Sequence, residues 1–205
     1  MNRLLSLLNK NELSLVTTST FNKGETIFSE NEICNEISIV LDGVIEISTY
    51  SFNDTPIIFN RIFPNQVFGN NLLFSSSPKY RGNVICKTKA KIAFIQKEDL
   101  VNIISNNKMF LIEYLKIQSD FGKTLNYRIK LLSFNNAEDR LLFYLKEKNN
   151  VIIINSISYL ARELSLTREA TSRLVKRMNE DNKIFKEDFN NKIMIRLADD
   201  KGGKV

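Results

Sequence analysis

The chain of 205 residues contains no histidine. Histidine is the usual general acid and base near neutral pH and a frequent ligand of catalytic metals. Its absence excludes a serine–histidine–aspartate triad, a cysteine–histidine pair and a haem held by histidine. We therefore predict that the protein is not an enzyme and that it has no metal site and no haem.

Cysteine is scarce as well, because only Cys34 and Cys86 occur. Two cysteines cannot build a disulfide-dense scaffold, and by themselves they cannot hold an iron–sulfur cluster that needs four thiolates. Their apolar neighbours Ile33 and Ile85 indicate buried, inert thiols, but a redox-sensing role for either cysteine stays open. We expect a reducing compartment and no iron–sulfur cluster.

Long apolar runs are also missing, since no segment approaches the ~20 apolar residues of a membrane span. The leucine-rich start, MNRLLSLLNKNELSL, has helical spacing but lacks the small-residue cleavage site of a signal peptide. We expect a cytoplasmic protein without a membrane partner. Residues 1–17 predict a short amphipathic helix that covers one end of a sheet.

The composition is otherwise that of a folded protein, with 43% apolar and 25% charged residues. The net charge is +6 and the isoelectric point is about 9.2. A basic balance favours a polyanionic partner such as nucleic acid, although many basic proteins have no such partner. The length suits one large domain or two small ones.

From Thr18 to about Ile95, short runs of alternating or β-branched residues are separated by turn-forming pairs. Six or more short strands at this spacing predict an antiparallel sandwich or barrel. Asp42-Gly43, between ISIVL and VIEIS, predicts a hairpin. The runs that we assign to strands are ETIFS, EISIVLD, VIEISTYS, PIIFNRIF, GNVICKT and AKIAFIQ.

After about Lys97 the apolar period becomes helical, and one stripe continues for about five turns over residues 108–133. Such a stripe is either intramolecular core or the seam of a dimer. We favour the dimer, because the DNA-binding motif described next requires two-fold symmetry. Residues 133–136 are rich in turn formers and predict a hinge. The stripe consists of Leu111, Tyr114, Leu115, Gln118, Phe121, Leu125, Arg128, Ile129 and Leu132.

Residues 156–184 predict two short helices joined by a tight turn at Ser165-Leu166. Ser156 and Thr167 are suited to cap the first and the second helix. A recognition helix enters the major groove of DNA by its N-terminal turns, so the start of the second helix would reach base edges. Two strands and a turn over residues 185–197 follow, which makes this segment a winged helix-turn-helix.

The polar side of the second helix carries the residues that we assign to DNA. Arg168, Glu169 and Arg173 are the candidate base contacts, because arginine can donate two hydrogen bonds to guanine and glutamate can accept one from the cytosine amino group. The alternative is a solvated, charged helix face without a ligand. Hydroxyl and basic side chains suit phosphates, and the candidate phosphate contacts are Thr167, Ser172, Lys176 and Arg177.

The order of these segments resembles the cyclic-AMP receptor protein/fumarate-nitrate regulator (CRP/FNR) family of bacterial transcription factors. LTREATSRLVKRM is similar to the recognition element of that family, and FNKGETIF and ISIVLDGVIEI are similar to its early barrel strands. The resemblance implies an α+β fold with an antiparallel double-stranded β-barrel (a cupin-like jelly roll), a long dimerisation helix and a C-terminal winged helix-turn-helix. It implies a barrel sensor domain over residues 1–97, a dimerisation helix and hinge over 98–134 and a DNA-binding domain over 135–205.

The resemblance also implies a function. The protein would be a sequence-specific transcription regulator that binds a roughly palindromic double-stranded DNA site as a homodimer, with helix 167–178 in the major groove. RNA polymerase would be a further partner, and the barrel would sense an unknown small-molecule effector or none. The alternative that stays open is a small-ligand-binding module whose C-terminal domain contacts another protein.

Two positions of the motif depart from the family pattern. Ser165 stands where the turn usually has glycine, and Thr171 stands where a buried aliphatic residue is usual. Both substitutions would loosen the packing of the two helices if nothing compensated for them.

The barrel departs more strongly. Family members that bind a cyclic nucleotide carry Phe-Gly-Glu and, later, an arginine followed by serine or threonine and alanine. Here Asn70 follows Phe68-Gly69, and Gly82 follows Arg81. The carboxylate and the hydroxyl expected to meet the nucleotide are missing, which argues against cyclic AMP as a cofactor and suggests that Arg81 faces solvent. The candidate effector pocket consists of Gly69, Asn70, Arg81 and Gly82.

Overall fold

The computed structural model describes residues 3–198, and the chain divides into two compact units between Asp120 and Phe121. Each unit has a hydrophobic core of its own. The division falls within one long helix, whereas the sequence places domain boundaries near residues 97 and 134. That three-part division stays a prediction, and the two units are described separately below.

The N-terminal unit is built mainly of short strands. A single 3-10 turn, Leu5–Leu7, precedes them, and helices follow them. In chain order the elements are α1 (Lys10–Leu13), β1 (Thr17–Phe21), β2 (Thr26–Phe28), β3 (Glu36–Asp42), β4 (Ile45–Tyr50), β5 (Pro56–Ile62), β6 (Val67–Phe68), β7 (Asn83–Cys86), β8 (Ala90–Gln96), α2 (Lys97–Asn106) and the first part of α3 (Lys108–Ser133).

The eight strands form two four-stranded antiparallel sheets, in the orders β1-β8-β3-β6 and β2-β7-β4-β5. Inward side chains of both sheets meet in one apolar cluster, which includes Ile39 of β3, Ile45 of β4 and Ile92 of β8. The central strands β3 and β8 are each buried over four consecutive residues, 37–40 and 92–95, rather than at every second position. The predicted antiparallel sandwich or barrel and the α+β class are confirmed.

The turn at Asp42-Gly43 is present, but the hairpin predicted there is wrong. β3 pairs with β6 and β8 in one sheet, whereas β4 pairs with β5 and β7 in the other. The chain therefore crosses between the sheets at this turn. Gly43 has a φ of +86°, and a Cβ atom there would lie 2.4 Å from the carbonyl oxygen of Lys89, so only glycine fits the crossing.

The helix predicted over residues 1–17 is also wrong as a single element. The side chain of Asn9 accepts hydrogen bonds from the backbone at the start of α1, and the Glu12 carboxylate accepts one from the Asn9 backbone N–H. This reciprocal capping box begins a new, short helix after the first turn. Leu4 and Leu5 are nevertheless buried in the core of the barrel, as a packing role requires.

The C-terminal unit contains the end of α3 and a small mixed domain. Its further elements are α4 (Ala137–Glu147), β9 (Val151–Ile154), α5 (Ile157–Leu164), α6 (Arg168–Glu180), β10 (Ile184–Phe189) and β11 (Lys192–Leu197). The three strands form an antiparallel sheet in the order β10-β11-β9. The core of this unit joins Leu131 of α3 to Leu141 of α4, Leu160 of α5 and Leu174 of α6. Within residues 3–198, no helix is long and apolar enough to cross a membrane.

Candidate nucleic-acid interface

Both helices of the pair α5 and α6 begin at the residues that the sequence indicates. The Ser156 hydroxyl accepts a hydrogen bond from the backbone N–H of Tyr159 at 3.2 Å, and the Thr167 hydroxyl accepts one from Ala170 at 3.1 Å. Each cap satisfies an N–H group that has no partner within its helix. The predicted starts of the two helices are confirmed.

The turn between α5 and α6 closes without glycine. Ser165 adopts the left-handed conformation, with φ 54° and ψ 47°. The backbone N–H of Ser165 bonds to the carbonyl of Arg162, and that of Leu166 bonds to the carbonyl of Ala161. These two bonds form a Schellman motif, which usually has glycine at the left-handed position. Ser165 therefore carries backbone strain that glycine would not.

The inner side of α6 packs on the core through Thr171, Leu174, Val175 and Met178, which are all buried. The hydroxyl of the buried Thr171 donates to the carbonyl of Thr167 at 2.9 Å, so the departure from an aliphatic residue leaves no unsatisfied polar atom. The spacing of three and four residues among these positions is the ordinary signature of a buried helix face.

The outer side of α6 is exposed over its first two turns. Arg168, Glu169, Ser172 and Arg173 line one shallow hollow. The structure thus brings the three candidate base contacts together with one candidate phosphate contact on a single surface. Ile157, the first residue of α5, also lines this hollow and was not singled out from the sequence. Its short distance in sequence from the capping Ser156 is the signal that could have indicated it.

Lys176 lies further along the same side of α6, and it lines a second hollow together with Ser172, Asn179 and Lys186 of β10. Asn179 accepts a hydrogen bond from the Lys186 backbone N–H at 2.8 Å, which ties the helix to the hairpin. The Lys176 ammonium lies 3.8 Å from the Glu180 carboxylate, and both side chains are exposed. Such an exposed ion pair is weak, so the lysine can exchange it for another anion.

Arg177, a candidate phosphate contact, differs from Lys176 because its ionic partner lies on another helix. Its guanidinium lies 3.6 Å from the carboxylate of Glu138 on α4, and the same carboxylate accepts a hydrogen bond from Lys183. That bond raises the pKa of Lys183 above its ordinary value. The structure therefore does not bring Arg177 to the hollow of Arg168 and Arg173.

The β10–β11 hairpin next to α6 has a two-residue tip, Asn190 and Asn191, with φ values of 49° and 61°. Positive φ at both positions is typical of a tight hairpin turn, and asparagine tolerates it. The Arg196 guanidinium stacks 4.3 Å from the ring centre of Phe185 on the facing strand. Lys186 and Lys192 are exposed, and so are Glu187 and Asp188, so the hairpin presents charges of both signs.

The four residues of the candidate effector pocket in the barrel have different surroundings. Asn70 is buried, and its amide donates to the side-chain oxygen of Gln118 at 3.0 Å. The Gln118 amide donates in return to the backbone oxygen of Asn70 and to the Tyr114 hydroxyl, both at 2.8 Å. Asn70 is thus bonded to α3.

The other three pocket candidates show close backbone packing or exposure to solvent. Gly69 has a φ of +79°, and a Cβ atom there would lie 2.8 Å from the carbonyl of Glu36. A Cβ atom on Gly82 would lie 2.7 Å from the carbonyl of Ser48. The Arg81 side chain is exposed, and within residues 3–198 it makes no ion pair.

Both thiols are buried. The Cys34 thiol lies beneath Gly69 and donates weakly to the carbonyl of Glu36 at 3.3 Å. Burial raises the pKa of the Cys34 thiol and also that of Cys86. A raised pKa keeps the thiol protonated and poorly nucleophilic at neutral pH. In the described part of the chain, no group of three histidine, cysteine, aspartate or glutamate residues is placed to hold a metal ion.

Comparison with known proteins gives one matching domain family and several similar solved structures. The model of the cyclic nucleotide-binding domain matches residues 18–107, and no curated protein matches the chain. A mutant CooA from Carboxydothermus hydrogenoformans has a TM-score of 0.69 at 17% identity, over 97% of this chain and 92% of that one. Catabolite Activator Protein from Thermus thermophilus has a TM-score of 0.55 at 15% identity, over 95% and 92%. A transcriptional regulator of the crp/fnr family from Eubacterium rectale has a TM-score of 0.54 at 16% identity, over 97% and 94%.

Proposed function

Residues 18–107 belong to the cyclic nucleotide-binding domain family and the chain has the fold of CRP/FNR transcription regulators, and from this premise we propose that the protein is a homodimeric, sequence-specific DNA-binding regulator. The resemblance to this family that the sequence shows is thus confirmed. In the proposal, α5, α6 and the β10–β11 hairpin form a winged helix-turn-helix. The protein is a cytoplasmic regulator and not an enzyme.

One observation carries this proposal. Arg168, Glu169 and Arg173 are all exposed on the outer side of α6, while the inner side of the same helix is buried in the core. Two arginines and a glutamate in one shallow hollow match the donors and acceptor that discriminate guanine and cytosine in the major groove. Because these side chains are exposed and do not pack in the core, they are available to contact DNA.

The surrounding residues suit attachment to the DNA backbone. Thr167, Ser172 and Lys176 lie on the first three turns of α6 or at its cap, and all three are exposed. The N-terminal end of a helix also attracts phosphate through its free N–H groups and its dipole. We assign these residues to phosphates, and we give Arg177 a smaller part because Glu138 holds its guanidinium.

The proposed dimer forms along α3. Leu115, Gly122 and Ile129 recur every seven residues, and Gln118, Leu125 and Leu132 recur in the same way. Leu115, Leu125, Ile129 and Leu132 are each about half exposed or more, and such a row of apolar side chains on one helix is typical of an interaction surface. A seven-residue repeat of mostly apolar positions predicts left-handed packing against a second helix. Gln118 in this repeat is also bonded within its own chain to Asn70. At Gly122 a Cβ atom would have no neighbour within 4 Å, so a second helix can approach closely.

The barrel needs no cyclic nucleotide in this proposal. Asn70 and Gln118 already make reciprocal hydrogen bonds between the pocket region and α3. We infer that these bonds replace a ligand as the link between barrel and helix, so the protein binds DNA without cyclic AMP, haem or an iron–sulfur cluster. A different small effector would have to break this link in order to bind at Asn70.

A DNA-binding assay on the purified chain tests this function. Protein refolded from denaturant, and therefore stripped of small ligands, should bind double-stranded DNA as tightly as the native preparation, with or without reductant. Affinity should fall steeply as salt increases, because phosphate contacts release counterions. Absence of any DNA binding at low salt, combined with binding of the C-terminal unit to another protein, would support the alternative of a ligand-binding module.

A further inference from the structure

The C-terminal end of α5 has one capping bond that comes from outside the helix pair. The last carbonyl groups of a helix have no partner within it. The Schellman turn at Ser165 satisfies those of Ala161 and Arg162. The carbonyl of Glu163 accepts instead from the Arg128 guanidinium on α3, with an N–O distance of 2.9 Å.

Arg128 holds this helix end in two ways. One guanidinium nitrogen bonds to the backbone carbonyl of Glu163, and another lies 3.6 Å from the carboxylate of the same residue. The two side chains are 39% and 24% exposed, so water screens the pair only in part. A guanidinium is a rigid fork that can fix the direction of its partner, and a cation is favourable at a helix C-terminus.

The position of this contact connects two proposed functional surfaces. Arg128 is next to Ile129, which belongs to the proposed dimer seam of α3. Glu163 lies two residues before the left-handed Ser165 and five before Arg168, the first residue of α6. A change in the angle between α3 and the end of α5 would therefore redirect the whole recognition surface.

We propose that Arg128 is a positioning residue that fixes the direction of α5 and α6 relative to α3. This inference rests on the proposed function, because it assigns Arg128 the task of setting the distance between the two recognition helices of the dimer. It acts through Glu163 and touches no DNA. When both half-sites can be engaged at once, the second contact is effectively intramolecular and raises the overall affinity by orders of magnitude. Loss of the fixed direction should remove much of that gain.

The test compares three variants on defined duplexes. Arg128→Gln removes the charge and the fork, and Arg128→Lys keeps the charge with a single donor group. Lys123→Gln is the matched control, because Lys123 is an exposed cation on the same helix and forms no ion pair within residues 3–198. The duplexes are the site that the wild-type protein selects from random DNA, the same site with one half scrambled, and versions with one base pair added to or removed from the centre.

Arg128→Gln should bind the half-scrambled duplex like wild type but lose at least about tenfold in affinity for the intact site. Adding or removing one central base pair should reduce the affinity of Arg128→Gln less than that of wild type. Helices α5 and α6, once loosely held, would tolerate more than one spacing of the half-sites. Arg128→Lys should lie between Arg128→Gln and wild type, and Lys123→Gln should match wild type.

Two results would overturn the proposal. Arg128→Gln could keep the wild-type affinity and spacer penalty, or it could lose affinity for the half-scrambled and intact duplexes equally, which would indicate a purely structural role. Failure of the wild-type protein to select any DNA would instead refute the proposed function, and that result is seen before the variants are compared.

Discussion

In the proposed function, different side chains of α6 recognise bases and attach to the DNA backbone. Arg168 and Arg173 lie in the same hollow as Glu169, whereas Arg162 projects from α5 beside Tyr159 and outside that hollow. Removing a base contact should therefore change the discrimination between DNA sequences, whereas removing a remote positive charge should not. Both changes take one cation from the same unit.

Arg168→Ala and Arg173→Ala should each weaken binding to the selected DNA site by about 1–3 kcal/mol. Each variant should also lose discrimination at one base pair in each half-site, because the bidentate donor is gone. The measurement is the affinity for the selected duplex and for its single-base substitutions. Arg162→Ala serves as the control and should weaken binding to all of these duplexes equally, if at all. Unchanged specificity profiles for both hollow variants would refute the assignment.

Ser165 provides a stability test at the same scale. The left-handed conformation costs a non-glycine residue about 1–2 kcal/mol, and the greater entropy of unfolded glycine offsets about 0.5–1 kcal/mol. Ser165→Gly should thus raise the free energy of unfolding of the C-terminal unit by about 0.5–1 kcal/mol, measured by denaturant titration. Ser158→Gly, inside α5 with ordinary helical geometry, should lower the same quantity by a similar amount. A loss of stability in Ser165→Gly would mean that the turn is not strained.

The residue-scale features that could be predicted from sequence are the local ones. Ser156 and Thr167 cap their helices because the required N–H groups lie three residues away. The pairing of Arg177 with Glu138 could not be predicted, since 39 residues separate them and only the packing of α4 on α6 brings them together. Arg128 and Glu163 are separated in the same way.

At the scale of elements, α3 carries a row of exposed apolar side chains, which the proposed dimer would cover. Ile129→Glu places a charge in the proposed seam, where it would be desolvated on association. The variant should be monomeric at micromolar concentration while wild type is dimeric, as measured by sedimentation. Lys123→Glu, exposed outside the seven-residue repeat, should remain dimeric. A monomeric wild-type protein that still binds DNA tightly would contradict the seam.

The barrel contains a buried carboxylate that predicts a pH dependence. Burial raises the pKa of Glu46, but hydrogen bonds and attraction from Arg61 and Lys87 outweigh burial and hold its pKa below the usual 4.5. A folded pKa below the unfolded one contributes stability that is complete above about pH 4.5 and is lost as the pH falls toward the lowered value.

Glu46→Gln should therefore reduce barrel stability by roughly 1–2 kcal/mol at neutral pH, since both cations remain partly solvated. The difference from wild type should shrink as the pH falls below 4.5, the ordinary pKa of the carboxyl. Urea midpoints across this range provide the measurement, with Glu98→Gln, at an exposed position of α2, as the control. A difference that stays constant with pH would show that the charge of Glu46 contributes nothing.

The positions of strands and turns could be predicted from the sequence more reliably than which strands pair with each other. The turn at Gly43 follows from its local signal, but the strands on either side belong to different sheets, which depends on pairings with β6, β7 and β8 far along the chain. The start of the chain shows the converse case. Leucine spacing predicts one helix, whereas the capping box of Asn9 and Glu12 divides it.

At the scale of the whole molecule, the proposal predicts a symmetry that no single residue shows. Two copies joined along α3 would present two α6 helices related by a two-fold axis, and such helices fit half-sites about one DNA turn apart, ~34 Å. The bound sequence should then be a pair of inverted half-sites. The links through Asn70 to Gln118 and through Arg128 to Glu163 each stay within one of the two compact units.

Selection of bound duplexes from a random DNA pool by the purified, ligand-free protein tests the central claim most directly. We expect an enriched, roughly palindromic motif whose half-sites are about 10 base pairs apart from centre to centre. Guanine or cytosine should dominate the positions that Arg168→Ala and Arg173→Ala relax. A pool that shows no enrichment after repeated rounds, or an enriched motif that neither substitution changes, would contradict the assignment of α6 as a DNA recognition helix.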